Sequence, residues 1–136
     1  MIGSVEVRVR YAETDQMGRA HHSNYLIWCE LGRTALMRDA GISYADLERG
    51  GLLLPVTRAE LEYLAPLLYD EVAVIETWVE RVRSRDIVFA YRVIRATDGV
   101  VAATARTVLV SANAQGRPAR MPVEIREALQ RLLPEG

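Results

Sequence analysis

Residues 24–40 read NYLIWCELGRTALMRDA, with Gly41 next. The run has no proline and is rich in Leu, Ala, Met, Glu and Arg, all strong helix formers. Ser23 or Asn24 suits the N-cap and Gly41 the C′ position, so a helix from Asn24 to Ala40 is predicted. Its apolar residues Leu26, Ile27, Trp28, Cys29, Leu31, Ala35, Leu36, Met37 and Ala40 occupy more than one stripe. Such a helix is expected to be covered on most sides rather than to lie on a surface. What covers it decides the fold.

Upstream, Val5 to Tyr11 alternate as V-E-V-R-V-R-Y, the period of a half-buried strand. Ala12 to Ser23 break that pattern, with Gly18 supplying turn freedom. Downstream, Ser43 and Asp46 resemble a capping box opening a short second helix that Gly50-Gly51 ends. Beyond Gly51 the period is two. Leu52 to Leu64 reads as a strand, with Pro55 at an early bend or an unpaired edge position. Val72 to Val82 is a second strand, and Ile87, Phe89, Tyr91 and Val93 mark a third. Asp98-Gly99 is a hairpin signal before a fourth, Val100 to Val110. Met121-Pro122 then opens an amphipathic tail helix with Ile125, Ala128, Leu129 and Leu132 on one side. This order predicts an α+β chain, a single domain over residues 1–136, in which a curved antiparallel sheet of about five strands wraps the long helix. The other sheet face and the edge strands then need hiding or blunting, which favours pairing of identical subunits.

Composition narrows the function. The chain has 136 residues, half of them hydrophobic, and a formal net charge of −1. All 17 basic residues are arginine, which excludes a Walker A loop, a Schiff-base lysine and pyridoxal chemistry, each needing an amine. The near-zero charge argues against a general nucleic-acid binder. No stretch approaches the length of a membrane span, and the start lacks the apolar run of a signal peptide. The one cysteine, Cys29, allows no internal disulfide and suits a reducing compartment. A cytoplasmic protein is expected.

The densest polar cluster, from Tyr11 through Glu13, Thr14, Asp15, Gln16, His21 and His22 to Asn24, lies where the first strand gives way to the helix. A helix N-terminus carries N–H groups without internal partners, and a carboxylate just upstream can act as base or nucleophile. Together they suit carbonyl substitution. The alternative is that Thr14 and Asp15 merely hold a turn. His21, His22, Cys29, Glu30 and Asp15 are each possible metal ligands. Adjacent histidines in an extended segment point to opposite sides, however, and no ligand spacing follows, so no metal is expected. Cys29, between apolar neighbours, is expected to be inert. Glu30 and Arg33 stand at the spacing of a helix ion pair. Arg81, Arg83 and Arg85, before Asp86, either grip phosphate or form a solvated strand end. Tyr25, Trp28, Tyr63 and Trp78 read as core or interface packing.

The run Tyr11-Ala12-Glu13-Thr14-Asp15-Gln16-Met17-Gly18, then His22-Ser23-Asn24-Tyr25, then Glu30-Leu31-Gly32-Arg33, resembles the signature of the 4-hydroxybenzoyl-CoA thioesterase family of hotdog folds. Its details are closest to the branch of short-chain acyl-CoA thioesterases associated with the Tol–Pal system. Tyr69-Asp70-Glu71 and Ile75-Glu76-Thr77 are similar to that family's third strand. The resemblance spans about residues 5–113 and departs at Arg19-Ala20-His21 and at Gly32, where an alanine is commoner. It implies a dimer joined edge to edge, often paired again into a tetramer, with sites at the subunit interface and acyl-CoA as substrate. It maps the catalytic carboxylate onto Asp15, its histidine onto His22, a site tyrosine onto Tyr11, and coenzyme A contacts onto Arg83 and Arg85. The thioester oxygen is then expected to face backbone N–H groups near Asn24 and Tyr25, while Asp15 attacks the carbonyl or deprotonates a water. No metal or cofactor is implied, coenzyme A being part of the substrate. A hotdog dehydratase of hydroxyacyl thioesters and a non-catalytic acyl-CoA binder are the alternatives.

Overall fold

The computed structural model describes residues 1–134. Five strands, β1 (Gly3–Arg8), β2 (Val56–Tyr63), β3 (Val72–Val82), β4 (Asp86–Arg95) and β5 (Val101–Val110), form one antiparallel sheet in the order β1-β3-β4-β5-β2. Three helices accompany it: α1 (Asn24–Asp39), α2 (Tyr44–Arg49) and α3 (Val123–Gln130). Register shifts at Val56/Arg58, Val79/Arg81 and Val93/Ile94 bend the ladder, as bulges do. The helix α1 lies against the inner face, which is the hotdog arrangement. Among the described residues no helix is long and apolar enough to cross a membrane.

Alternation along the strands sorts the two faces. Ile75, Thr77 and Val79 of β3, and Ile87, Phe89, Tyr91 and Val93 of β4, point inward and are buried. On the outer face Arg92 bonds Glu76 across the strands and stacks on Trp78, and Arg106 pairs with Glu80.

The expectation that α1 is covered on most sides is corrected. Tyr25, Trp28, Cys29, Gly32, Arg33, Leu36 and Met37 form one buried stripe, while Leu26, Ile27 and Leu31 stay exposed. A single sheet can cover only the side of a helix that faces it. Gly32 sits at the closest approach: a Cβ there would come within 2.3 Å of Thr77 Oγ1. Most predicted ends hold. Gly41 adopts φ +80° after α1, and Ser43 Oγ accepts the Asp46 N–H at the start of α2. The first strand ends earlier than predicted, because Tyr11–Glu13 coil into a 3-10 turn. The long strand expected from Leu52 begins only at Val56. Before it, Leu53 pairs with Ala112 and the Pro55 carbonyl accepts the Val110 N–H.

Candidate active site

The segment between β1 and α1 is organised by Glu13, which is 6% exposed. Its Oε1 accepts the Arg10 N–H at 2.8 Å and its Oε2 accepts the Trp28 indole N–H at 3.2 Å. Its carbonyl accepts the His21 N–H at 2.7 Å and Asn24 Nδ2 at 2.8 Å. Burial by itself pushes this carboxyl up. The bonds from the Arg10 amide and guanidinium and from Trp28 outweigh it and hold the group below its ordinary range.

Asp15 stands on a tight hairpin. Its N–H donates to the Arg19 carbonyl at 2.8 Å, and Gly18 takes the left-handed φ of +76° that lets the chain reverse. Asp15 Oδ1 accepts the Met17 N–H at 2.8 Å and the Arg19 N–H at 3.3 Å. Oδ2 has no hydrogen-bond partner among the described residues. Turn-holding therefore occupies one oxygen of this carboxylate and leaves the other unengaged. Asp15 and His22 line the same cleft, about 360 Å³, with Met17, Arg19, Tyr25, Tyr63 and Leu64.

The two histidines do not point to opposite sides. The chain is already turning into α1, and their rings lie 4.2 Å apart. His21 Nδ1 is engaged with Ser23 Oγ at 2.8 Å and with the Ser23 N–H at 3.2 Å. Among the described residues no three His, Cys, Asp or Glu side chains converge.

At the helix start Ser23 is itself helical (φ −64°, ψ −25°) and makes no capping bond. The turn thus begins earlier than a Ser23 or Asn24 cap implies. As a result the Asn24 N–H is taken by the His21 carbonyl at 3.1 Å, and the Tyr25 N–H by the His22 carbonyl at 3.4 Å. At the helix start the amides of His22 and Leu26 are without a partner among the described residues. Tyr11 is 78% exposed, packs edge-on against Tyr69 at 5.5 Å, and does not line the cleft.

Tyr63, read from the sequence only as packing, is a site residue by position. From the end of β2 its hydroxyl donates to the His22 carbonyl at 3.1 Å, and its ring meets Tyr25 at 5.1 Å. Cys29 is fully buried and its thiol is pushed up to about 12 by burial. Arg33 does not pair with Glu30. It lies under α1, 8% exposed, facing the hydroxyls of Tyr91 and Tyr44.

Arg83 and Arg85 sit in the β3–β4 turn, at the opposite end of the sheet from Asp15. β3 alone runs about 33 Å between the two ends at ~3.3 Å per residue. One chain does not bring them together. Beside that turn lies the tail segment: Ser111 N–H donates to the Arg85 carbonyl, Met121 N–H to the Ser84 carbonyl, and Ala119 N–H to the Ser111 carbonyl. Arg117 and Arg120 are thereby added to the same end. The R-P-A-R-M-P run at 117–122 is the signal that could have found them.

Comparison with known proteins agrees with the fold. The profile described as the thioesterase-like superfamily matches residues 9–129. YneP of Bacillus subtilis, which carries acyl-CoA thioesterase as a provisional name, is 47% identical over 92 residues, 68% of this chain and 67% of that protein. A hypothetical protein from Thermus thermophilus, TT1821, superposes with a TM-score of 0.91 at 37% identity, covering 99% of this chain and 100% of that one. The DHNA-CoA thioesterase of Staphylococcus aureus does so with a TM-score of 0.91 at 32% identity, covering 96% and 89%.

Proposed function

From the thioesterase-like superfamily, to which this chain belongs, we propose that it is an acyl-CoA thioesterase, splitting a thioester and water into a carboxylic acid and free coenzyme A. The observation that carries this reading is the cleft shared by His22 and by an Asp15 carboxylate with one oxygen tied down and the other unengaged. Asp15 Oδ2 either attacks the carbonyl carbon, expelling the thiolate and leaving an anhydride that water cleaves, or takes a proton from the attacking water. His22 orients that water or protonates the departing sulfur. The helix start stabilises the oxygen that gains charge; the expected Asn24 and Tyr25 amides are spent on the His21 and His22 carbonyls, which leaves the His22 amide as the donor there. Coenzyme A thiolate leaves readily, so the scheme calls for neither metal nor cofactor.

Assembly completes the site in this reading. All of β2 but one residue is exposed along an unpaired edge, and α1 leaves Leu26, Ile27 and Leu31 bare. Two copies joined antiparallel along β2 would set the Val56 end of one opposite the Tyr63 end of the other. The guanidiniums of Arg83, Arg85, Arg117 and Arg120 on one protomer would then approach the Asp15 cleft of its partner, suited to the phosphates of coenzyme A. Pairing of dimers into tetramers follows the family resemblance. Tyr11, Thr14-Asp15 and His22-Ser23-Asn24-Tyr25 support the Tol–Pal-associated branch and short-chain acyl-CoA as the first substrates to try. The buried thiol of Cys29 is in keeping with a cytoplasmic setting.

Thiol release across short-chain, long-chain and aromatic acyl-CoAs tests the proposal. Asp15→Asn is expected to lower turnover by about a hundredfold to ten-thousandfold while the fold is retained. Wild-type turnover in that variant refutes the role. Coenzyme A binding without hydrolysis of any thioester would mean a binder, and an enoyl product would mean a dehydratase.

A further inference from the structure

Of the buried ionisable groups that the mechanism leaves unused, one stands two residues before Asp15. Glu13 touches neither the cleft nor its mouth, yet every polar group it owns on side chain and carbonyl is spent on the segments that carry Asp15 and His22. Through Oε1 it holds the Arg10 N–H, and so the entry to the 3-10 turn from which Thr14 and Asp15 emerge. Through Oε2 it is tied to Trp28, one turn inside α1 and 1% exposed, which cannot move without opening the core. Through its carbonyl it holds the His21 N–H and Asn24 Nδ2, the two groups flanking His22.

We propose that Glu13 is a positioning residue: a single buried clamp that fixes the Asp15 hairpin and the His22 turn at one distance and anchors both to α1. This rests on the reading of Asp15 and His22 as partners in thioester hydrolysis and names what keeps them in register. The chemistry of the clamp is specific. Both carboxylate oxygens accept hydrogen bonds, and an amide offers one acceptor and one donor. In Glu13→Gln the side chain keeps its shape, but its NH2 must face either the Trp28 indole N–H or the Arg10 N–H, donor against donor. Misplacement of a reacting group by about an ångström costs up to a hundredfold in rate.

The test compares wild type, Glu13→Gln and the double variant Glu13→Gln/Trp28→Phe, which removes the opposing indole donor. Two readouts are used, steady-state thioester hydrolysis and amide hydrogen exchange followed by NMR. In Glu13→Gln, kcat is expected to fall tenfold or more with KM changed less than twofold, because the arginines proposed to hold coenzyme A lie at the other end of the sheet. The double variant is expected to recover part of that loss, although it removes more packing. Exchange at the His21 amide should quicken in Glu13→Gln while amides of β3 and β4 keep their protection. Unchanged exchange at His21 overturns the clamp, whatever the activity. So does a loss of kcat that merely tracks the unfolded fraction and is worsened in the double variant. If wild type hydrolyses no thioester while the His21 amide still responds to Glu13→Gln, the clamp stands and the assigned chemistry fails.

Discussion

The two ends of α1 are held by different physics. Where the helix finishes, Leu36 and Met37 pack against Val79, Phe89, Leu109 and Leu129 in a cluster of mostly aliphatic side chains. Where it begins, Trp28 and Tyr25 are buried among Val9, Ala20, Leu67 and Ile75, and the loop above them is pinned by Glu13 and Tyr63 through directed hydrogen bonds. Apolar burial is tolerant of detail and scales with area. A hydrogen bond fails when a donor meets a donor. The finishing end therefore supplies stability and the starting end supplies geometry, and the candidate site sits at the starting end.

Substitutions along α1 can break or sharpen that contrast. The largest expected loss of stability is at Leu36, fully buried: Leu36→Ala should cost about 2–5 kcal/mol in denaturant unfolding, with kcat per folded molecule little changed. Next is Gly32, midway between the ends, where the added methyl of Gly32→Ala would press on Thr77 Oγ1. Overpacking of this kind costs about 1–3 kcal/mol. Thr77→Ala, which removes the obstructing hydroxyl, should recover much of the loss when combined with it, and additive losses in the two-variant cycle would place the strain elsewhere.

The smallest effect belongs to Glu13 and is read by pH. Its folded-state pKa lies below the ordinary value of 4.5, so folding favours the ionised form. That contribution is fully present above the ordinary value and is lost as pH falls through the lowered one. Acid unfolding of wild type should show this added slope, and Glu13→Gln should lack it. Equal slopes would mean that the carboxylate is not held as its hydrogen bonds imply.

The same division explains what the sequence disclosed. The finishing end was legible because Leu36, Ile87 and Leu109 follow simple periods and Gly41 ends the helix by a local rule. Strands β3, β4 and β5 were legible for the same reason. The starting end was legible only as a polar cluster. Which member would be buried depends on Trp28, fifteen positions beyond Glu13, and no local pattern links them. Ser23 looked like a cap, and its own helical backbone moved the turn and committed the Asn24 and Tyr25 amides to His21 and His22. Tyr63 looked like packing because its partner, the His22 carbonyl, lies 41 residues away. The apolar surround of α1 was overestimated because one chain's sequence does not tell covering by its own sheet from covering by a neighbour.

Cys29 has a practical consequence. Sealed beneath α1, with its proton held to about pH 12, it should ignore disulfide reagents while the protein is native. A colorimetric count of released thiol then carries no background from the enzyme, and each substitution can be compared without a cysteine-free parent. When the sulfur does react, its labelling rate reports how often the helix lifts from the sheet, so one reagent times both the chemistry and the breathing of the scaffold.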